Sequence, residues 1–119
     1  MRPAFAVSYH RLSVSAQHMF RRLALVPGAD FSIELAAAAA GIEYPDARLQ
    51  VEELLEATLV QAATAPDRYQ FHDLIRLFAR ERLEAEESAA QRERAASSLY
   101  EYTVPGLGAA AQRLRRDIT

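Results

Sequence analysis

The spacing of apolar residues changes twice along this chain, and this change is the strongest constraint on its fold. From Ala16 the apolar residues recur every three or four positions, through Met19, Phe20 and Leu23, which is the stripe of an amphipathic helix. After residue 58 they alternate, and the helical spacing then returns. A chain of 119 residues has room for one compact core and a trailing element. The pattern therefore predicts helices around one short pair of strands.

Capping residues indicate where the helices begin and end. Ser13 and Ser32 each precede a helical run and can accept hydrogen bonds from its first backbone amides. Gly41 follows an alanine-rich run and can take the left-handed conformation that ends a helix. Proline at position 45 suits a first helical turn. The helices predicted before the strands are Pro3–Arg11, a helix from Ser13 that stops before Pro27, Ile33–Ala40, and a helix from Pro45.

Two short strands are predicted around a turn, with a long helix after them. Leu59–Ala62 and Arg68–Phe71 alternate in polarity, and the segment 64–67 between them is rich in turn-forming residues. Asp73 is expected to cap the next helix, which runs to about Glu87. Its apolar surface is assigned to Leu74, Ile75, Leu77, Phe78 and Leu83, and its solvated side to Arg76, Arg80 and Glu84.

A last helix is predicted from Ser88 to the interruption at Pro105, and a further helical segment from Leu107. Helices followed by a hairpin and another helix are the order of a winged-helix unit. The predicted fold class is mainly α, a winged helix in which a helical bundle carries a small two-stranded β-hairpin, with a C-terminal helical extension.

Composition and spacing exclude several kinds of site. The chain has no cysteine, so disulfide frameworks and thiolate zinc sites are excluded. It has no glycine-rich loop followed by lysine, so it cannot be an ATPase by itself. His10, His18 and His72 fall on three different predicted elements, which provides neither a metal cluster nor a catalytic triad. We expect no catalytic residue, no metal and no cofactor in this chain. We also expect no membrane span and a cytoplasmic location.

One stretch carries a specific resemblance. Residues 68–82, which include Phe71-His72-Asp73 and the helix after them, resemble the winged-helix domain that follows the NB-ARC ATPase core in AfsR-type (SARP group) bacterial transcriptional regulators. Phe71-His72-Asp73 is similar to the hydrophobic-His-Asp motif of these STAND ATPases, called MHD in plant disease-resistance proteins. Residues 6–12 resemble the opening helix of the same domain.

The resemblance implies a role for His72. In that family the motif histidine contacts the β-phosphate of ADP in the preceding ATPase domain and holds the inactive state. By position this nucleotide-sensing role falls to His72, with Phe71 and Asp73 as motif support and helix cap. An imidazole N–H can donate to a phosphate oxygen.

The resemblance also implies a domain organisation and partners. Residues 1–87 would be the winged-helix domain and 88–119 a helical linker toward TPR-like repeats. The NB-ARC domain, which binds ADP or ATP with Mg²⁺, and the repeats would be intramolecular partners in the parent protein. DNA would be bound through another domain, and oligomerisation on activation stays open.

Three alternatives compete with this interpretation. His72 and Asp73 can have a purely structural role at a strand end and helix start. A winged helix can also bind DNA directly, but the fourth helix opposes four acids to Arg48, and the net charge is −2. Arg68 in the hairpin and Arg21-Arg22 are the cations to examine for this function. A third alternative is a docking module that uses Tyr100, Tyr102 and Leu107.

Overall fold

Six helices and a small antiparallel sheet make up residues 4–28 and 30–103, which the computed structural model describes. The sheet has the strand order β1-β3-β2. The mainly α, winged-helix-like fold expected from the sequence is confirmed. In chain order the elements are α1 (Ala4–Arg11), α2 (Val14–Leu23), β1 (Asp30–Phe31), α3 (Ile33–Ala40), α4 (Tyr44–Glu56), β2 (Gln61–Ala62), β3 (Tyr69–Gln70), α5 (Asp73–Glu86) and α6 (Ala89–Thr103).

The predicted caps of α2 and α3 are confirmed. The Ser13 hydroxyl accepts a hydrogen bond from the Ala16 amide, and the Ser32 hydroxyl accepts one from Leu35, each at 3.1 Å. Gly41 ends α3 with φ +70°, a left-handed conformation that costs other residues free energy. Ser13 also donates from its own amide and hydroxyl to the Glu53 carboxylate, at 2.8 and 2.9 Å. This cap therefore joins α4 to the start of α2.

The predicted hairpin is confirmed, but the sheet has a third strand that was not predicted. β2 and β3 pair with Gln61 opposite Gln70, and β1 pairs with the other edge of β3. Two residues are too few to show an alternating period, so β1 gives little sequence signal. Phe31 fixes this strand because its buried ring lies 6.0 Å from that of Tyr69. The two predicted strands are shorter than expected, and Leu59 and Val60 lie before β2, buried in the core.

The α2 helix lies at the centre of the core, in contact with α3, α4 and α5. Ala16, Met19, Phe20 and Leu23 on its inward stripe are completely buried. The Phe20 ring meets three other aromatic rings at centroid distances of 5.4 to 5.9 Å. Aromatic pairs at such distances contribute beyond the area that they bury. The predicted second helix thus supplies a continuous buried stripe that packs against three other helices.

A buried carboxylate lies between α5 and α6. Glu87 is the charged residue that is buried in the described part of the chain, and it accepts hydrogen bonds from Arg21 at 2.9 Å and Arg22 at 2.8 Å. Burial raises the pKa of this carboxyl, but the hydrogen bonds and charges of the two arginines outweigh it and lower the pKa below its ordinary value. The two arginines therefore attach the α5–α6 junction to the end of α2.

The predicted start of α6 at Ser88 is confirmed. Ser88 and Gln91 form a reciprocal capping box, in which the Ser88 amide donates to the Gln91 side chain at 2.7 Å. The Gln91 amide donates to the Ser88 hydroxyl at 3.1 Å. Ala95 and Leu99 are buried, and α6 packs against the alanine-rich α3. The small alanine side chains allow this close approach.

The expectations for both ends of the chain fall partly outside the described residues. Pro3, the expected start of the first helix, and the expected helix from Leu107 lie there. The assignment of 1–87 as one domain and 88–119 as a linker stays a prediction. Within the described part of the chain, no helix is both long enough and apolar enough to cross a membrane.

Truncation of the central aromatic residue tests the packing scheme. We expect Phe20→Ala to lower the free energy of unfolding by about 3–5 kcal/mol, since it removes a fully buried ring that meets three other aromatic rings. The measurement is urea unfolding followed by circular dichroism. Val14→Ala is the control, because Val14 is 81% exposed and its truncation should cost less than about 0.5 kcal/mol. Equal losses for the two variants would contradict a core centred on α2.

The Glu87 cluster makes stability depend on pH. Because the folded-state pKa of Glu87 is lowered, its contribution is present above the ordinary carboxyl pKa and is lost as pH falls through the folded value. We expect Glu87→Gln to cost about 3 kcal/mol at neutral pH and much less near pH 3. Urea unfolding at both pH values checks this. Glu84→Gln, an exposed change in the last turn of α5, should show little loss at either pH.

Candidate functional site

The segment that joins β3 to α5 is anchored by an aromatic side chain. Phe71 is buried, with its ring perpendicular to that of Phe20 at 5.6 Å and 6.1 Å from that of Phe31. This packing fixes the backbone at the start of α5. The next residue, His72, is left exposed at the surface. The supporting role expected of Phe71 therefore has a physical basis in these two ring contacts.

His72 is the N-cap of α5, and its side chain has a defined orientation. Its Nδ1 atom accepts a long hydrogen bond of 3.4 Å from the Leu74 amide. Its backbone carbonyl accepts the first helical hydrogen bond from Arg76, at 2.9 Å. A neutral imidazole whose Nδ1 accepts carries its proton on Nε2. His72 therefore presents an N–H donor on the side of the ring away from the helix.

The cap expected at Asp73 is wrong by one position. Asp73 is the first residue of α5, and the preceding His72 has the extended backbone of an N-cap. The error arises because a histidine nitrogen can replace the usual oxygen as acceptor for a free helix amide. Asp73 still favours the helix, since a negative charge in the first turn interacts well with the positive end of the helix dipole.

His72 lines a small polar cavity. Its volume is about 310 Å³, at the lower end of the usual range for small-molecule sites. The loop after α2, the strands β2 and β3 and the first turn of α5 all contribute to its wall. Amide, imidazole and guanidinium groups supply hydrogen-bond donors there, and Asp73 supplies the carboxylate. The lining residues are Gly28, Gln61, Gln70, Phe71, His72, Asp73 and Arg76.

Arg76 belongs to this cavity, and its expected place on the solvated side of α5 is wrong. It is half-buried, and its guanidinium donates to the carbonyls of Val26 at 2.8 Å and Gly28 at 2.7 Å. The sequence holds one signal for this position, because Arg76 follows His72 by four residues and so shares its helix face. Gly28, Gln61 and Gln70 gave no such signal, since only the fold brings them to this helix end.

The other two histidines lie away from this cavity. His10 is exposed on α1. His18 on α2 is half-buried, and burial, together with the charge of Arg22, lowers its pKa. Its Nε2 lies 3.2 Å from the Ala40 carbonyl. In the part of the chain that the structure describes, no group of histidines and acids is placed to hold a metal ion.

The arginines considered for DNA binding are engaged with carboxylates. Arg68 pairs with Asp30 at 2.6 Å, and Arg48 on α4 pairs with Glu52 at 3.3 Å. Arg21 and Arg22 bind Glu87. Each of these pairs offsets a positive charge that a DNA phosphate would otherwise meet. These contacts weigh against a direct DNA-binding role for the chain.

Comparison with known proteins identifies relatives of the chain. It is 37% identical over 103 residues to the "Regulatory protein AfsR" of Streptomyces griseus, a match that covers 86% of the chain and 10% of the relative. The protein of the same name from Streptomyces coelicolor (strain ATCC BAA-471 / A3(2) / M145) is 38% identical over 97 residues, or 79% of the chain and 10% of the relative. The chain is homologous to a segment of these regulatory proteins. It spans about a tenth of their length. No protein-family model and no solved structure matches it.

Substitutions at the cap separate the structural role of His72 from its outward donor. We expect His72→Ala to lower the free energy of unfolding by about 0.5–1 kcal/mol, because a free amide at the start of α5 loses its acceptor. His72→Asn should keep the cap and stay within about 0.5 kcal/mol of the parent. Thermal and urea unfolding give these values. A loss of several kcal/mol for both variants would show that the imidazole is part of the core, contrary to its exposed position.

Proposed function

We propose that this chain is a non-catalytic regulatory domain of a nucleotide-switched transcriptional regulator. In this proposal His72 contacts the β-phosphate of ADP held by a neighbouring NB-ARC ATPase domain, and the contact maintains the autoinhibited state. The observation that carries the proposal is the exposed imidazole of His72, which lines a polar cavity and presents an Nε2–H donor. The homology to AfsR proteins supports a place within a longer regulator.

The start of α5 suits a phosphate contact for a further reason. The first backbone amides of a helix have no partner within the helix, and its dipole favours an anion at this end. The Leu74 amide is occupied by the His72 ring, which directs the ring outward. A phosphate oxygen in front of the ring would receive a hydrogen bond from Nε2 and would lie in the favourable field of the helix.

The charges around the cavity leave recognition of an anion to individual hydrogen bonds. Arg76 contributes one positive charge and Asp73 one negative charge, so the two formally cancel. An anion therefore gains little from the net charge of this surface and depends on a hydrogen bond of correct length and direction. Such a bond is sensitive to the position of the phosphate. This sensitivity is what a domain needs in order to distinguish one nucleotide state from another.

The energy of one such contact is sufficient for regulation. A hydrogen bond that involves a charged group contributes about 1.5–3 kcal/mol. If the bond exists only in the ADP-bound closed state, it shifts the equilibrium between closed and open states by about 10- to 100-fold. Exchange of ADP for ATP with Mg²⁺ would remove this contribution, and the domains would then be free to rearrange.

Release of ADP from the full-length regulator tests the proposal. We expect the purified protein to retain ADP, and His72→Ala to release a fluorescent ADP analogue about 10- to 100-fold faster, because the phosphate loses one charged hydrogen bond. His72→Asn should also release it faster, because the shorter side chain keeps the cap without the outward Nε2 donor.

His10→Ala is the matched control, since it removes an exposed histidine from α1, away from the cavity. It should leave ADP release unchanged. Circular dichroism must show that all three variants are folded. Release from His72→Ala and His72→Asn at the parental rate would reject the phosphate contact and leave the helix cap as the role of this residue.

A further inference from the structure

Arg76 ties the loop between α2 and β1 to the first turn of α5. Its Nη1 group donates to the Val26 carbonyl at 2.8 Å and its Nη2 group to the Gly28 carbonyl at 2.7 Å. Both bonds are short for N–H donors, and they join residues that lie 50 and 48 positions apart in the chain. One side chain therefore connects two walls of the cavity that contains His72.

The geometry of this contact requires a guanidinium group. Its planar fork can donate to two carbonyl oxygens at once, whereas a lysine ammonium is a single point of charge on a flexible stem. The guanidinium carbon lies 5.8 Å from the centre of the Phe71 ring, which supports the fork from the side of the core. Among the described residues, Arg76 has no ion pair. Its hydrogen bonds from Nη1 and Nη2 are both to backbone carbonyls of the loop.

The Gly28 backbone makes such a support necessary. Gly28 has φ +90°, a conformation that residues with side chains rarely adopt, and a glycine has many alternatives to it. A hydrogen bond to the Gly28 carbonyl restricts these alternatives. Because Gly28 and His72 both line the cavity, the bond also fixes one wall relative to the imidazole.

We propose that Arg76 is a positioning residue for His72. It holds the Gly28 wall and the first turn of α5 at a fixed separation, so that the Nε2–H donor of His72 is already oriented before a phosphate arrives. This inference rests on the proposed function and adds to it the residue that preorganises the contact. Arg76 acts through His72, because its Nη1 and Nη2 groups both donate to carbonyls of the loop.

A release assay on the full-length regulator, with a fluorescent ADP analogue as probe, tests the inference. We expect Arg76→Gln to accelerate release about tenfold or more, because the shorter glutamine side chain has one NH2 group in place of the two nitrogens that bind the two carbonyls. Arg76→Lys should have a similar effect, since it keeps the charge and loses the fork. The double variant Arg76→Gln/His72→Ala should release the analogue no faster than the faster single variant. The reason is that both changes weaken the same contact, the hydrogen bond from His72 to the phosphate.

Two control variants separate positioning from general effects. Arg80→Gln removes an exposed arginine one turn further along α5, outside the cavity, and should leave release unchanged. Val51→Ala truncates a fully buried side chain in α4 and should lower the melting temperature without faster release. Amide exchange at Val26, whose N–H donates to the Leu23 carbonyl at 3.1 Å, should accelerate in Arg76→Gln and stay at the parental rate in Arg80→Gln.

The outcomes distinguish the inference from the function on which it rests. Parental release from His72→Ala overturns the proposed function and the inference with it. Faster release from His72→Ala with parental release from Arg76→Gln or Arg76→Lys overturns the inference alone. Additive acceleration in the double variant also overturns it, because Arg76 would then act independently of His72. If Arg76→Gln does not fold, Arg76→Lys carries the test.

Discussion

The packing of Phe71 against Phe20 is the contact on which the candidate site depends. Phe20 belongs to the central helix α2, and Phe71 is the last residue before the His-Asp pair. The contact therefore fixes the point at which the chain leaves the sheet and enters α5. Because Phe71 is buried, the residue after it is directed to the surface, and His72 becomes an exposed cap at a fixed position.

Each further part of the site follows from this anchor. With the first turn of α5 fixed, Arg76 lies one turn beyond His72 and reaches the carbonyls of the loop after α2. That loop leads directly into β1, whose Phe31 ring packs against both Phe71 and Tyr69. The third strand thus belongs to the same arrangement as the cavity. The sheet is small, but it positions three of the four segments that form the cavity wall.

The sequence predicted the parts of this fold that depend on local chemistry. Ser13, Ser32 and Gly41 act through hydrogen bonds and backbone angles within a few residues, so their roles can be assigned without knowledge of the tertiary structure. The amphipathic stripe of α2 is similarly local. The existence of the hairpin also followed from a change of period, although its strands are shorter than the alternating pattern suggests.

The parts that were missed depend on contacts between distant segments. Leu74 and Leu77 were assigned to an apolar side but are exposed, because α5 packs through Phe78, Ala79 and Leu83. Arg76 was assigned to solvent because the residues near it in the sequence do not indicate its partners. These partners are the carbonyls of Val26 and Gly28, in a loop far away in the chain. The cap at His72 was missed for a different reason, since histidine is not among the residues that usually cap helices.

The two ends of α5 are both attached to α2, and this limits how the domain can respond to a nucleotide. At one end Phe71 packs on Phe20, and at the other Glu87 binds Arg21 and Arg22. A helix of 14 residues is about 21 Å long, so these attachments are far apart and prevent rotation about either one. The helices α2 and α5 should therefore move as one body. If His72 senses a phosphate, exchange of ADP for ATP should change the contacts between this domain and its neighbour. The packing within the domain described here should stay the same.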